Sequence, residues 1–225
     1  MWIAAHPDDE AVAAPLLSKW CREQNAQCTF VIMTRGEAGG CLLPNGCEPD
    51  IATARSAEAG AATQLFGATL VHLTYTDGGG VLPPEWGVSS VGTTGVIAGL
   101  IDTFHPELIL TFDPRHGTTC HPDHRATGEL VLEAVRHISY TPAVYLLETR
   151  VTFEPFAIRF SSATPNAIRY DATTTWDAIA LDMRRHPSQF DEATIAEIAG
   201  VPVPERAVFF GAADEMLKEN VEPCP

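Results

Sequence analysis

The sequence predicts an α/β fold with a mostly parallel sheet flanked by helices. Three observations carry this. Up to Leu147, short apolar runs of strand length alternate with longer segments of helical spacing. Glycine- and proline-rich stretches fall between them. Two clusters of imidazoles and carboxylates each follow one of the apolar runs, where ligands sit in open parallel sheets.

Taken in order, Trp2 to Ala5 reads as a first buried strand. Asp9 to about Arg22 is helical, with Val12, Leu16, Leu17 and Trp20 near helical spacing. Cys28 to Met33 is a second strand, and Thr34 to Pro49 a loop punctuated by Gly36, Gly39, Gly40, Pro44 and Gly46. Alanine-rich Asp50 to Phe66 is a helix stopped by Gly67, and Leu70 to Tyr75 a third strand. Asp77-Gly78-Gly79-Gly80 opens a further loop. Thr94 to Phe104 is a helix and Leu108 to Phe112 a fourth strand. The loop Asp113 to Cys120 leads to His121-Pro122, an N-cap and first-turn pair for a helix running to about His137. Ala143 to Leu147 is a fifth strand.

The alternation loosens after Glu148. Phe153 to Ser161 and Ala207 to Phe210 read as strands, and Thr175 to Arg185 as a helix ending at His186-Pro187. No repeat or linker forces a second domain. The 225 residues are therefore expected as one domain, a core over 1–149 and a smaller C-terminal subregion over 150–225.

The formal charge is -15, with Lys19 and Lys218 the two lysines. Such a field repels phosphate backbones, so nucleic acid is excluded as an expected partner. No run approaches the roughly 20 apolar residues that span a bilayer. No basic segment followed by an apolar stretch marks a signal peptide. A cytoplasmic protein with its six cysteines as free thiols is the expectation, with Cys120 a small apolar residue. A Cys41–Cys47 bridge across the Pro-Asn-Gly turn is the alternative in an oxidising compartment. Homo-oligomerisation is left open.

The first cluster is His6-Pro7-Asp8-Asp9-Glu10, and the second His121-Pro122-Asp123-His124. Together they hold the inventory of a catalytic divalent-metal site. His6 and Asp9 are three apart, as are His121 and His124, so a turn can aim each pair at one point. A metal-bound water gains from a carboxylate that takes its proton and a donor facing the developing oxyanion. Asp8 and His121 suit those two roles. Taken singly, the acids could merely sit in a helix first turn, and His121 could merely be a cap. A non-haem iron oxygenase with a two-His-one-carboxylate triad is a competing class, on a double-sheet β scaffold. A metal-binding module without catalysis would have no use for Asp8 and His121.

These two motifs resemble the signatures of the LmbE-like, or PIG-L, family of metal-dependent de-N-acetylases. The likeness extends to Thr34-Arg35-Gly36-Glu37, Ala54-Arg55-Ser56-Ala57-Glu58, Thr76-Asp77-Gly78 and His186-Pro187-Ser188-Gln189. It implies a Rossmann-like fold and hydrolysis of an N-acetyl group from an N-acetylglucosamine-type sugar conjugate. An amidase acting on a thiol or sugar conjugate is the neighbouring activity in the family. By the resemblance, His6, Asp9 and His124 hold zinc or another divalent metal, and Asp8 is the general base. His121 stabilises the oxyanion or protonates the leaving amine, Asp123 orients His121, and Arg55 and Asp77 contact substrate. Thr119 stands where some members carry a catalytic tyrosine. Specificity is expected from the loops Gly36 to Pro49 and Gly78 to Val91.

Overall fold

A computed structural model describes residues 1–78, Trp86, 91–154, 157–162, 164–221 and Cys224. Most of the loop from Gly78 to Val91 lies outside the described residues, including Gly79 and Gly80. The chain runs β1 (Trp2–Ala4), α1 (Glu10–Leu17), β2 (Thr29–Thr34), α2 (Ile51–Leu65), β3 (Thr69–Tyr75), α3 (Val91–Phe104) and β4 (Leu108–Phe112). It continues with α4 (Gly117–Cys120), α5 (Pro122–Ala134), β5 (Ala143–Leu147), β6 (Arg150–Glu154), β7 (Ala157–Ser161), β8 (Ile168–Asp171), α6 (Asp177–Met183), α7 (Glu192–Ala199), β9 (Ala207–Ala212) and α8 (Ala213–Met216).

Among the described residues, seven strands form one sheet in the order β3-β2-β1-β4-β5-β9-β8. The first five are mutually parallel, and β9 runs antiparallel to both β5 and β8. This is a Rossmann-like arrangement. Strand order reverses at β1, which lies between β2 and β4. Ligands sit outside the carboxyl ends of strands at such a switch point.

Both faces of β1 are covered, so its run is apolar rather than alternating. Trp2 and Ala4 join Leu16, Phe30 and Ile32 in one core. Ile3 and Ala5 join Val31, Ile97 and Leu130 in the other. Helix α5 lies close against the end of β4 at Gly128, where a Cβ would meet the Phe112 carbonyl oxygen at 2.3 Å. That close approach sets the first turn of α5, and with it the second motif, beside β1.

The C-terminal part departs from expectation. One strand over Phe153 to Ser161 proves to be a hairpin, β6 with β7. Strand β8 and helices α4, α7 and α8 carry no clear periodicity of their own. Strand β8 and helix α8 form against β9, α7 against α6, and α4 against α5 and β6, the usual way tertiary context overrides local propensity.

The free-thiol expectation is overturned. All six cysteines pair, as Cys21–Cys28, Cys41–Cys47 and Cys120–Cys224. Cys120 is thus not an apolar filler but an exposed anchor, tying residue 224 to the loop before the second motif. Bridges of this number persist in oxidising surroundings rather than in a reducing cytosol. Alkylation of unfolded, unreduced protein should therefore label no cysteine, and reduction should expose six. Labelling before reduction would restore the thiol reading.

Candidate metal centre

The two motifs, remote in sequence, meet at the carboxyl ends of β1 and β4. His6 leaves β1 and is buried, as are Asp9 and His124. The turn after β1 is tight, with Asp8 at φ 98°. The loop before α5 holds Thr118 at φ 66° and Cys120 at φ 63°. Non-glycine residues in this region cost energy and gather where a site is over-determined by its surroundings.

Asp9 Oδ2 accepts the backbone N–H groups of Ala5, at 2.9 Å, and His6, at 2.7 Å. Its Oδ1 lies 2.9 Å from His124 Nε2. His6 Nδ1 lies 3.2 Å from His124 Nε2 and 3.7 Å from Asp9 Oδ2. In a tetrahedral zinc site with bonds of ~2.1 Å, ligand atoms sit about 3.4 Å apart. The spacings of 2.9, 3.2 and 3.7 Å, taken through one Asp9 oxygen toward His124 and the other toward His6, scatter around that figure.

The far nitrogens of both rings are engaged. His124 Nδ1 faces the Gly117 carbonyl at 2.8 Å, so its proton belongs there and the Nε2 lone pair points inward. His6 Nε2 faces Asp123 Oδ2 at 3.2 Å and Asp77 Oδ1 at 3.5 Å, leaving its Nδ1 lone pair inward. Outer hydrogen bonds that fix tautomers in this way are characteristic of metal-binding imidazoles. The donor set therefore fits a divalent cation.

Burial alone would raise the Asp9 carboxyl, but His124 and His6 outweigh it and hold Asp9 well below the usual range. Burial alone would lower His6, but Asp9, with Asp123 and Asp77, raises it well above its ordinary value. Asp8 is pushed up to about 6 by burial, against the pull of Arg55. His121 is lowered by burial and by His124 and His6.

The other residues singled out in the sequence divide by what they touch. His121 caps α5 after all, accepting the Asp123 N–H on Nδ1 at 3.2 Å. That bond leaves the proton of the neutral ring on Nε2, as a donor. The cap and the donor role thus use different nitrogens. Its ring packs edge-on to His6, with centroids 4.8 Å apart. Asp123 is fully buried, and its carboxylate meets His6 and the Gly78 N–H rather than the His121 ring.

Arg55 is buried too. It donates to the carbonyls of Pro7 and Gly36 and pairs with Asp8 Oδ1 at 2.9 Å. It clamps the general-base candidate against the turn. Gly36, at φ +69°, makes room for it, since a Cβ there would fall 2.4 Å from the guanidinium. Asp77 accepts the Ala38 N–H at 3.1 Å, and Glu37 accepts the Asp77 N–H at 3.1 Å. Asp8, Asp9, Arg55, Asp77, His121 and His124 all line one cleft of about 360 Å³.

A second buried cluster was not legible as such in the sequence. His186 Nε2 pairs with Glu10 Oε1 at 2.9 Å, and both are buried. Asp182 stands beside them, neither of its carboxyl oxygens hydrogen-bonded among the described residues. One ligand-type atom from each of the three lies within 4.8 Å of the others. Burial alone would lower His186, but Glu10, helped by Asp182 and Asp8, raises it to about 9. Asp182 is raised well above its ordinary value by burial and by Glu10. The rest of the late motif also binds across the fold. Ser188 donates its N–H and hydroxyl to Glu58, at 2.9 and 2.6 Å, and Gln189 reaches the Gly40 carbonyl at 2.7 Å. The His-Pro-Ser-Gln order was the signal. Its partners, more than 100 residues away in sequence, were not visible in it.

His116 has a structural partner, with Nε2 2.6 Å from Arg150. Among the described residues, no helix is long and apolar enough to cross a membrane.

A Rossmann-like sheet carrying a His/Asp donor set at its switch point is the class that fold and site define. The chain belongs to the PIG-L family, described as GlcNAc-PI de-N-acetylase, whose model matches residues 1–135. It is 32% identical over 142 residues to a probable N-acetyl-alpha-D-glucosaminyl L-malate deacetylase 2 of Bacillus anthracis, covering 59% of this chain and 57% of the relative. It is 27% identical over 176 residues to a mycothiol S-conjugate amidase of Streptomyces coelicolor, covering 72% of this chain and 59% of the relative. The matches thus span less than two thirds of either relative. The N,N'-diacetylchitobiose deacetylase of Pyrococcus horikoshii superposes with a TM-score of 0.71 over 99% of this chain and 85% of its own, at 20% identity. At that identity the likeness concerns the fold.

Proposed function

We propose that the chain is a metal-dependent hydrolase that removes the N-acetyl group from an N-acetylglucosamine-type sugar conjugate. The observation that carries this is the convergence of the His6 and His124 lone pairs on Asp9, with Asp8 and His121 beside them on the same cleft. The matches to a glucosaminyl-malate deacetylase and to an amidase support amide hydrolysis. The oxygenase alternative called for a double-sheet β scaffold, and the chain folds instead around a parallel sheet.

In this reading His6, Asp9 and His124 hold the metal, zinc by the donor set. When bound, it supplies a Lewis acid and lowers the pKa of its water. Asp8, held by Arg55, takes the water's proton. The Nε2–H of His121 faces the oxygen on which charge develops. The water oxygen bonds to the acyl carbon, the C–N bond breaks, and the nitrogen leaves as an amine after taking up the proton that Asp8 received from the water. Asp123 keeps the His6 ring in its tautomer, so it positions a ligand. The polar cleft with Asp77 takes the sugar. The conjugate is a small molecule, and the three disulfides support an oxidising compartment as the place of action.

Acetate release from N-acetylglucosamine conjugates, measured alongside metal content, tests this. Turnover should stop on chelation, return with zinc and need no oxygen. Full activity in metal-free protein, or a strict need for oxygen and Fe(II), would overturn it.

A further inference from the structure

A second cleft opens on the same centre. It has a volume of about 160 Å³ and shares Asp8, Asp9 and His124 with the polar one. Its remaining walls are of opposite character. Val12, Phe112, Val151, Ile179, Met183 and Phe190 are among the residues that line it. Four of these six follow residue 150, outside the 1–135 stretch matched by the family model. Ile179 and Met183 come from α6, Val151 from the β6–β7 hairpin, and Phe190 from the segment leading into α7.

An acetyl methyl needs none of this space. A cavity of ~150 Å³ lined by Leu, Ile and Phe stays dry and takes benzene, a six-carbon ligand. The two clefts differ in polarity and meet at the three shared residues. An amide lying across that junction would send its sugar one way and its acyl chain the other. We propose that the apolar cleft is an acyl-chain subsite, and that the preferred substrate carries a longer N-acyl group than acetyl, of about four to eight carbons. This rests on the amide-hydrolase reading given above. The bond broken is the same C–N bond, and the products are the amine and a medium-chain carboxylate in place of acetate.

The experiment has two arms. In the first, zinc-loaded protein is given N-acetyl-, N-butanoyl- and N-hexanoylglucosamine, and released amine is measured. Each buried methylene contributes up to about fourfold, so kcat/KM should rise at least about tenfold from acetyl to hexanoyl. Met183→Trp, which fills the cleft, should reverse that preference. Phe190→Ala, which enlarges it, should move the optimum to longer chains and stands in should the tryptophan variant not fold. In the second arm, acetate and hexanoate are titrated into the same protein by calorimetry. Hexanoate should bind at least tenfold more tightly, and Met183→Trp or Phe190→Ala should change that ratio.

A rate that falls with chain length, together with hexanoate no tighter than acetate, would overturn the subsite while leaving amide hydrolysis intact. Tight hexanoate binding without amine release from any substrate would keep the subsite and remove the hydrolase reading. Neither release nor a preference for hexanoate would remove both.

Discussion

Asp8→Ala should lose about a hundredfold or more in kcat while keeping its metal, because loss of a general base typically costs that much. His121→Ala should behave alike, as loss of an oxyanion donor does. KM should change far less in both, since neither group is assigned to binding the ground state. Asp9→Ala should differ in kind. Its carboxylate sits between both imidazoles, so the metal itself should be lost. Metal content, kcat and KM measured on all three variants separate these outcomes. Equal metal loss in Asp8→Ala and Asp9→Ala would mean that the two neighbouring aspartates have been given each other's roles. Near-normal kcat in a metal-replete His121→Ala enzyme would return that residue to helix capping alone.

The second large effect is expected away from the centre, at His186. Removing one partner of a buried ion pair leaves the other uncompensated and typically costs about 3–5 kcal/mol. His186→Leu should shift the denaturant midpoint accordingly. Adding Glu10→Met should recover much of the loss, because no unpaired charge then remains. The pair also sets a pH dependence. His186 is raised from 6.5 to about 9 in the folded state. Its contribution is fully present below the unfolded value of 6.5 and is lost as pH rises through about 9. The difference amounts to about 3 kcal/mol. Asp182, also raised, acts in the same direction, since its proton is lost more easily in the unfolded chain. Stability should thus decline on the alkaline side, and less steeply in the double variant. An unchanged alkaline limb in His186→Leu would show that the pair carries no such linkage.

Much of this architecture could be read from local pattern. The five parallel strands and the helices between them announce themselves by apolar runs and punctuating glycines, because both faces of that sheet are buried. The two motifs were visible for a related reason: polar residues crowd abruptly where strands end. What stayed hidden depends on pairing across long separations. Nothing near Cys120 points to Cys224, and nothing near His186 points to Glu10. Asp123 illustrates the limit well. The family resemblance implies service to His121 in its own turn, whereas its carboxylate crosses to His6, in the turn after β1. Arg55 is similar. A helical arginine is usually a surface residue, yet here Gly36 and Gly39 leave the space that lets it be buried against Asp8.

The switch point has a mechanical consequence. Strands β1 and β4 are joined by few backbone bonds, with Trp2 opposite Leu110 as the paired register. The proposed ligands stand on either side of that seam, His6 and His124 being 118 residues apart. A cation held there acts as a rivet between two halves of the sheet that the chain visits at different times. A partly synthesised chain ending before α5 lacks one half of the rivet and has no closed cage for the ion. Once both halves are present, affinity for the ion becomes cohesion of the whole sheet, about 2.7 kcal/mol at a free concentration ~100 times the dissociation constant. Loading the centre would then add to the stability of the fold.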